Sequence, residues 1–453
     1  MKLKIAHIGG GSYAWTDGLF TTFLDNDFFD RETELWLYDV DEEALNNVYA
    51  FCNMYNEKYP EKAITLKKTL SEDEVLEGAD YVLISISHGH MEGELEDHYI
   101  ARRHGFYNVK GSEYGIAGAS RTVRHVPEFV RIANKVKKLS KPGAKIMNVT
   151  NPLTALTRCV QKYADVESIG FCHGILNHLE ILLPYFGADS FDDVSFSVSG
   201  VDHCSFLTDI KVKGQDALEI MRNKGMIEAA WANQSKIVLD DYFAGRENQR
   251  IRFILWDMLG TMPGLSDEHC AEFYYQTTGT QANRDFFGMH YDRVADRPKS
   301  WQRMKDNIVP WVEKGDVPPL RIGTEIIHRA IEALEGGRQL YTVMNYRNFG
   351  QVRELPNDIV VETFNTIDAT GVHPAIANPL PKPALTVVEA TAMREELFME
   401  AAMEWDEKKL VSALCIDPLV QDFTRVKDVA HEILEYNAKW MPKGHVPVGH
   451  ICK

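Results

Sequence analysis

The stretch "KLKIAHIGGGSYAW" (residues 2–15) decides the fold. An apolar β-type run enters a glycine cluster and leaves it into sequence compatible with a helix. Gly9, Gly11 and Ala14 fit the pattern G-x-G-x-x-G/A. The first position permits a tight turn, the second the close approach of a pyrophosphate, and the third close packing of helix on strand. Ser12 and the amides opening the next helix would face the phosphates. A second strand, "TELWLYDVDEE" (33–43), ends on Asp39, the place from which a carboxylate binds a ribose diol. Val40, Asp41 and Glu42 follow it and offer no arginine to a 2′-phosphate. The spacing therefore predicts a dinucleotide site for NAD rather than NADP. A glycine-rich turn needed only for backbone flexibility is the plainer alternative.

Outward from this turn, β-type runs alternate with amphipathic helical stretches to about residue 190. They are "LKIAHIG", "TELWLYDV", "ITLKKT", "ADYVLISIS", "AKIMNVT" and "ESIGFC". Such alternation implies a parallel sheet with right-handed crossovers. Ser87 and Asn148, at the ends of the fourth and fifth runs, would face the cofactor. After residue 191 come two alternating strands, "DVSFSVSGVDH" and "SFLTDIKVK", and then long helical segments. The expected fold class is α/β: a Rossmann-type, doubly wound parallel sheet over 1–190, and a mixed, helix-rich α/β domain over 191–453, lactate/malate-dehydrogenase-like. Residues 295–320 look like a mobile or surface connection.

The formal net charge of −17 over 453 residues argues against a nucleic-acid or anionic-membrane surface. No apolar stretch approaches the roughly 20 residues needed to span a bilayer. The first residues run straight into a strand, so no secretory leader is expected. Seven cysteines without regular spacing fit a reducing, cytoplasmic compartment.

Three later stretches add chemistry: "NVTNP" (148–152), "GFCHG" (170–174) and "GVDHCSFL" (200–207). With "MPGLSDEHCAEF" (262–273), "NFGQVRELPNDIVVE" (348–362) and "GVHPAIANPLP" (371–381), the chain resembles glycoside hydrolase family 4 over nearly its whole length. That family is the NAD-dependent exception to two-carboxylate glycosidase chemistry. The resemblance implies NAD together with a divalent metal, most often Mn²⁺. It implies hydride removal at sugar C3, loss of the C2 proton, departure of the C1 substituent, addition of water and re-reduction. Net hydrolysis would then use the cofactor as a regenerated auxiliary.

By the same resemblance Cys172 and His203 would be the metal ligands, a thiolate and an imidazole suited to Mn²⁺, Co²⁺, Ni²⁺ or Fe²⁺. A core cysteine is the alternative for Cys172. Asn151 would bind a substrate hydroxyl, or cap the helix after Pro152. His173 stands where the phosphosugar branches usually carry Asn or Asp, which favours a non-phosphorylated hexoside or hexuronide. Asp267 would be the C2 base, with a helix N-cap as its alternative, and His269 and Glu272 would orient it or bind substrate.

The chain departs from the family at the expected acid, where Ser112 replaces an aspartate and Glu113 stands beside it. Glu113, or Tyr114, would have to take over, or the leaving group would need no proton. The alternatives are an NAD-dependent sugar 3-dehydrogenase on the same scaffold, a hydroxyacid dehydrogenase, or a cofactor-binding regulator without turnover. A homodimer or homotetramer is expected from the resemblance, with "AMREELFMEAAMEW" near residue 400 serving either an interface or the core.

Overall fold

The structure, a computed structural model, describes residues 3–232, 248–290 and 292–443. Its strands are β1 (Lys4–Ile8), β2 (Glu34–Tyr38), β3 (Thr65–Thr69), β4 (Tyr81–Ile84), β5 (Lys145–Asn148), β6 (Ser168–Gly170), β7 (Val194–Val201), β8 (Cys204–Val212), β9 (Gln215–Asp216), β10 (Met262–Pro263), β11 (Leu340–Arg347), β12 (Val360–Asp368) and β13 (Gly371–Pro374). The main sheet has the order β13-β12-β11-β6-β5-β4-β1-β2-β3. The six strands from β1 to β6 pair in parallel, in the doubly wound order 3-2-1-4-5-6. All six sequence runs before residue 190 are strands of this sheet.

The central strand β4 is apolar throughout because both its faces are covered. In β4, Val82 and Ile84 point into one core while Tyr81 and Leu83 point into the other. The first core packs the helices Gly115–Leu139, Lys382–Glu404 and Val426–Asn437 on one face. The second packs Thr16–Leu24, Glu42–Lys58 and Ile327–Leu334 on the other. Phe398, Met399 and Ala402 are buried in the first core, so the apolar stretch near residue 400 is spent inside the chain.

The second half joins the first directly: β11, antiparallel to β6, extends the N-terminal sheet, and β12 and β13 continue it. At the β6–β11 seam, a Cβ on Gly170 would lie 2.9 Å from the Asn345 Cβ, so glycine is what lets the strands close. The sequence reading is corrected at residues 295–320: most of this stretch belongs to the helices Arg293–Asp306 and Val309–Lys314 rather than to a connection. The Asp292 side chain caps the first by accepting from the Ala295 amide. Its sequence is polar because it forms a wall over a cleft rather than a buried layer.

A smaller antiparallel sheet, β10-β8-β7 with β9 on β8, holds the rest. The C-terminal helix is pinned by a buried ion pair. Arg124 bonds both oxygens of Asp97 at 2.7 and 2.6 Å and also donates to Asn437 at 2.8 Å. Removing one member of such a pair costs about 3–5 kcal/mol. Among the described residues no helix is long and apolar enough to cross a membrane.

Candidate active site

A cleft of about 750 Å³ opens at the carboxyl ends of the parallel strands, where ligands bind in this architecture. Gly9, Gly11, Ser12, Asp39 and Ser87 line it, as the glycine motif requires. Gly9 has φ +94°, and a Cβ there would lie 2.3 Å from the Ser85 carbonyl oxygen. Asp39 accepts from the Gly11 amide at 2.9 Å and from the Asp41 amide at 3.0 Å, which fixes its carboxylate at the cleft wall. Burial pushes the Asp39 carboxyl up, against the pull of those amides. Ser87 has a buried hydroxyl with no partner among the described residues, a polar atom fit for a ligand. At the same end Arg131 is taken up by Glu72 and Glu128 at 2.6 Å each, so it is not free for a 2′-phosphate. The residues present thus fit NAD.

Asn148 does not reach the cleft. It is fully buried, donates to Thr150 and Thr157, and accepts from the Thr150 amide. The run "NVTNP" folds back on itself, and Val149, Thr150 and Asn151 face the cleft instead. The Asn151 carbonyl accepts from Arg121 Nε at 3.0 Å across a cis Asn151–Pro152 bond.

His173 lines the cleft, with its ring 5.8 Å from Trp15. Its Nδ1 lies 2.9 Å from the buried Glu325 carboxylate. Burial alone would depress this imidazole, but Glu325 outweighs it and holds His173 above its ordinary value. Ser112 also lines the cleft, whereas Glu113 is turned away from it. Glu113 Oε1 accepts from the Leu153 amide at 2.6 Å, and Oε2 stands 3.3 Å from His203 Nδ1. The Tyr114 hydroxyl donates to the Asp202 carbonyl inside the core. Neither faces the cleft where a leaving group would stand.

Cys172 and His203 come together although 31 positions of sequence hold them apart. Cys172 follows β6. His203 occupies the tip of a two-residue hairpin, Asp202–His203, between the paired residues Val201 and Cys204. Its φ of +60° is a conformation that such turns usually give to glycine. A bulky imidazole held there is a strained choice that points to a job for the side chain. Donor atoms of Cys172, Asp202 and His203 all lie within 4.8 Å of one another. Burial, reinforced by Asp202, Glu362 and Glu113, pushes the Cys172 thiol well above its usual value in the absence of a cation. The donor set suits a divalent ion, whose charge would reverse that balance.

Asp267 is placed differently from the sequence expectation. Its two carboxylate oxygens accept from the Arg250 and Arg252 amides, both at 2.9 Å, beneath the helix Arg250–Leu259. This is the capping alternative, supplied across a turn rather than by the helix's own first residue. His269 is buried, its ring 4.4 Å from that of His203, and Glu272 accepts from the Gly111 amide. Burial pushes Glu272 up to about 8.

The sequence reading missed Glu94, Arg293, Arg297, Glu325 and Asp202. Arg293 and Arg297 sit four apart on one helix face and bond the two oxygens of buried Glu94 at 2.6 and 2.9 Å. Burial would raise the Glu94 carboxyl, but Arg293, Arg121 and Arg297 overcome it and hold it far below the carboxylate range. Three guanidiniums therefore face one carboxylate at the cleft. The i, i+4 arginine spacing in "RVADR" was the available signal.

Comparison with known proteins agrees with this geometry over both halves. The model of the family 4 glycosyl hydrolases matches residues 4–184, and that of the family 4 C-terminal domain matches 198–420. An α-galacturonidase of Thermoanaerobacterium saccharolyticum is 27% identical over 97% of this chain and 96% of its own length. One of Bacillus subtilis is 28% identical, over 93% and 94%. Among solved structures, a putative glucosidase of Bacillus subtilis superposes with a TM-score of 0.84 at 24% identity, covering 95% of this chain and 99% of that one. The 6-phospho-β-glucosidase of Thermotoga maritima, with manganese, NAD⁺ and glucose-6-phosphate, gives 0.76 at 24%, covering 97% and 100%. With both family models matched in order, the glycine turn lining the cleft, and Cys172 gathered with His203, the chain belongs to family 4 of the glycosyl hydrolases.

Proposed function

We propose that this glycosidase uses NAD and a divalent metal, Mn²⁺ by preference, to cleave a non-phosphorylated hexuronide in the cytoplasm. The observation that carries the substrate class is the local gathering of guanidiniums, Arg121, Arg293 and Arg297, at the Glu94 carboxylate on the cleft wall. In a chain of net charge −17, such a cluster marks the place of an anionic group on the ligand. Planar guanidiniums match a carboxylate in a bidentate way. The α-galacturonidases among the relatives point to the same class of sugar.

When bound, NAD and the metal would supply reversible oxidation at sugar C3 and polarisation of the adjacent oxygens, which acidifies C2. The chain's own residues do the rest. The glycine turn, which lets the dinucleotide approach closely, the Ser87 hydroxyl and Asp39 hold the dinucleotide, and Asn151 orients a sugar hydroxyl. His173, held above its ordinary value by Glu325, is a group in the cleft able to pass a proton to the departing C1 oxygen. It takes the place left by Ser112, whose hydroxyl is a poor acid.

The test uses a trace of NAD with Mn²⁺ and a thiol, and aryl hexuronides, hexosides and 6-phosphohexosides sharing one aglycone. Many turnovers per NAD, fastest on a hexuronide, are expected. NADH formed in proportion to product would reveal a sugar dehydrogenase. Preference for the phosphorylated sugar would overturn the substrate assignment.

A further inference from the structure

We infer that Asp202 is a third protein ligand of the metal, so that the ion is held by Cys172, Asp202 and His203 rather than by a cysteine–histidine pair. This rests on the metal-dependent function proposed above. Three observations carry it. The first is placement: the three donor atoms share a 4.8 Å envelope, and donors on one ion at 2.0–2.3 Å stand about 3–4 Å apart. Closing the site onto an ion therefore needs only small inward rotations.

The second is the state of the Asp202 carboxylate. The side chain is fully buried, and Oδ1 accepts from Asn345 Nδ2 at 2.9 Å. Oδ2 has no hydrogen-bond partner among the described residues and stands 3.4 Å from His203 Nε2. A buried carboxylate oxygen left bare is costly. Asn345, on β11, holds it aimed at the place where the Cys172 sulfur and the imidazole converge.

The third is the other side of the imidazole. His203 Nδ1 lies 3.3 Å from Glu113 Oε2, while Glu113 Oε1 is fixed by the Leu153 amide. A ligating histidine commonly donates its second N–H to a carboxylate, which sets the tautomer. Glu113 stands on that side of the ring, within reach but without a hydrogen bond formed, and Nε2 lies on the side of Asp202, where the metal would be held. Two adjacent residues of one hairpin tip supply two ligands, and the left-handed conformation of His203 turns its ring beside Asp202.

A carboxylate beside the thiolate adds a hard oxygen donor and a second negative charge, which favours Mn²⁺ over softer ions. The test is Mn²⁺ binding to the purified full chain, read by electron paramagnetic resonance, with Cys172→Ser and Asp202→Asn beside the wild type. Asparagine keeps the shape and the oxygen that Asn345 bonds. Asp202→Asn should weaken Mn²⁺ binding by at least about 100-fold, beyond the roughly 10- to 100-fold that loss of a partner behind a ligand costs. The cysteine-to-Co²⁺ charge-transfer absorption should persist at saturating Co²⁺, showing that Cys172 is still in place. A second measurement needs no variant: relaxation of solvent water on the wild-type Mn²⁺ complex should count about three bound waters on a six-coordinate ion, not about four. Unchanged affinity in Asp202→Asn, or about four waters, overturns the third ligand alone. No Mn²⁺ binding by the wild type, or none lost in Cys172→Ser, overturns the metal-dependent function with it.

Discussion

Replacing Arg297 with methionine isolates the positive charge at the cleft from the bulk of the side chain. Arg297 Nε bonds one oxygen of Glu94 at 2.9 Å while Arg293 holds the other at 2.6 Å. With Arg121 in reach, three positive groups face one negative one, and the substitution leaves two. A charge-assisted hydrogen bond in such a setting is worth about 1.5–3 kcal/mol. At about 1.4 kcal/mol per decade, kcat/KM on an aryl hexuronide should fall by roughly 10- to 150-fold. The matching neutral hexoside lacks the carboxylate and should change by less than about 3-fold. The assay is the ratio of the two kcat/KM values at saturating NAD and Mn²⁺. An equal fall on both substrates would refute the reasoning. So would a rise in the NAD requirement with the ratio preserved, since the arginines would then serve the cofactor phosphates.

Asp39→Ala should weaken NAD binding by at least about 10-fold, read by quenching of protein fluorescence, because the ribose acceptor and the partner of the Gly11 amide are both lost. Asp267→Asn should lower stability by about 1.5–3 kcal/mol in denaturant unfolding, since the charge and one of the two oxygens that accept from the Arg250 and Arg252 amides are lost. In D₂O the folded variant should still place deuterium at sugar C2; loss of that label at unchanged stability would make Asp267 the base after all. Glu325→Gln removes the charge that holds the His173 imidazole above its ordinary value. The acid form of His173 then persists to a lower pH only, so the alkaline limb of the rate on alkyl glycosides should move toward acid, while activated aryl glycosides move less.

The parallel half of the fold was legible because its signals are local. Each of β1 to β6 is an apolar run bounded by polar turns, and the glycine turn and Asp39 sit at fixed distances along one βαβ unit. Strands β11 to β13 gave no warning that they join this sheet, since pairing between β6 and β11 is a contact across half the chain. The helix from Arg293 was read as a connection because a wall over a cleft lacks the apolar stripe that marks a core helix. Asp267 shows the limit of position alone. A carboxylate that caps a helix and one that takes a proton look the same in sequence, and the bonds from the Arg250 and Arg252 amides appear only in three dimensions. Asp202 was passed over beside the more conspicuous His203, though the orphaned oxygen that distinguishes it appears only in three dimensions.

The seam between β6 and β11 bears on how such proteins can evolve. Sequence similarity divides the chain near residue 190 into two units, which invites the view that a dinucleotide-binding half could be exchanged among partners. Gly170 and Asn345 pair directly across the seam, and Asn345 reaches on to Asp202. A grafted second half would have to match the first at the level of individual strand residues, since a one-residue slip turns every side chain of β11 to the opposite face. The parallel half by itself would also present β6 as a bare edge, open to pairing with a second chain. Change in either half is therefore filtered through its fit to the other at this seam.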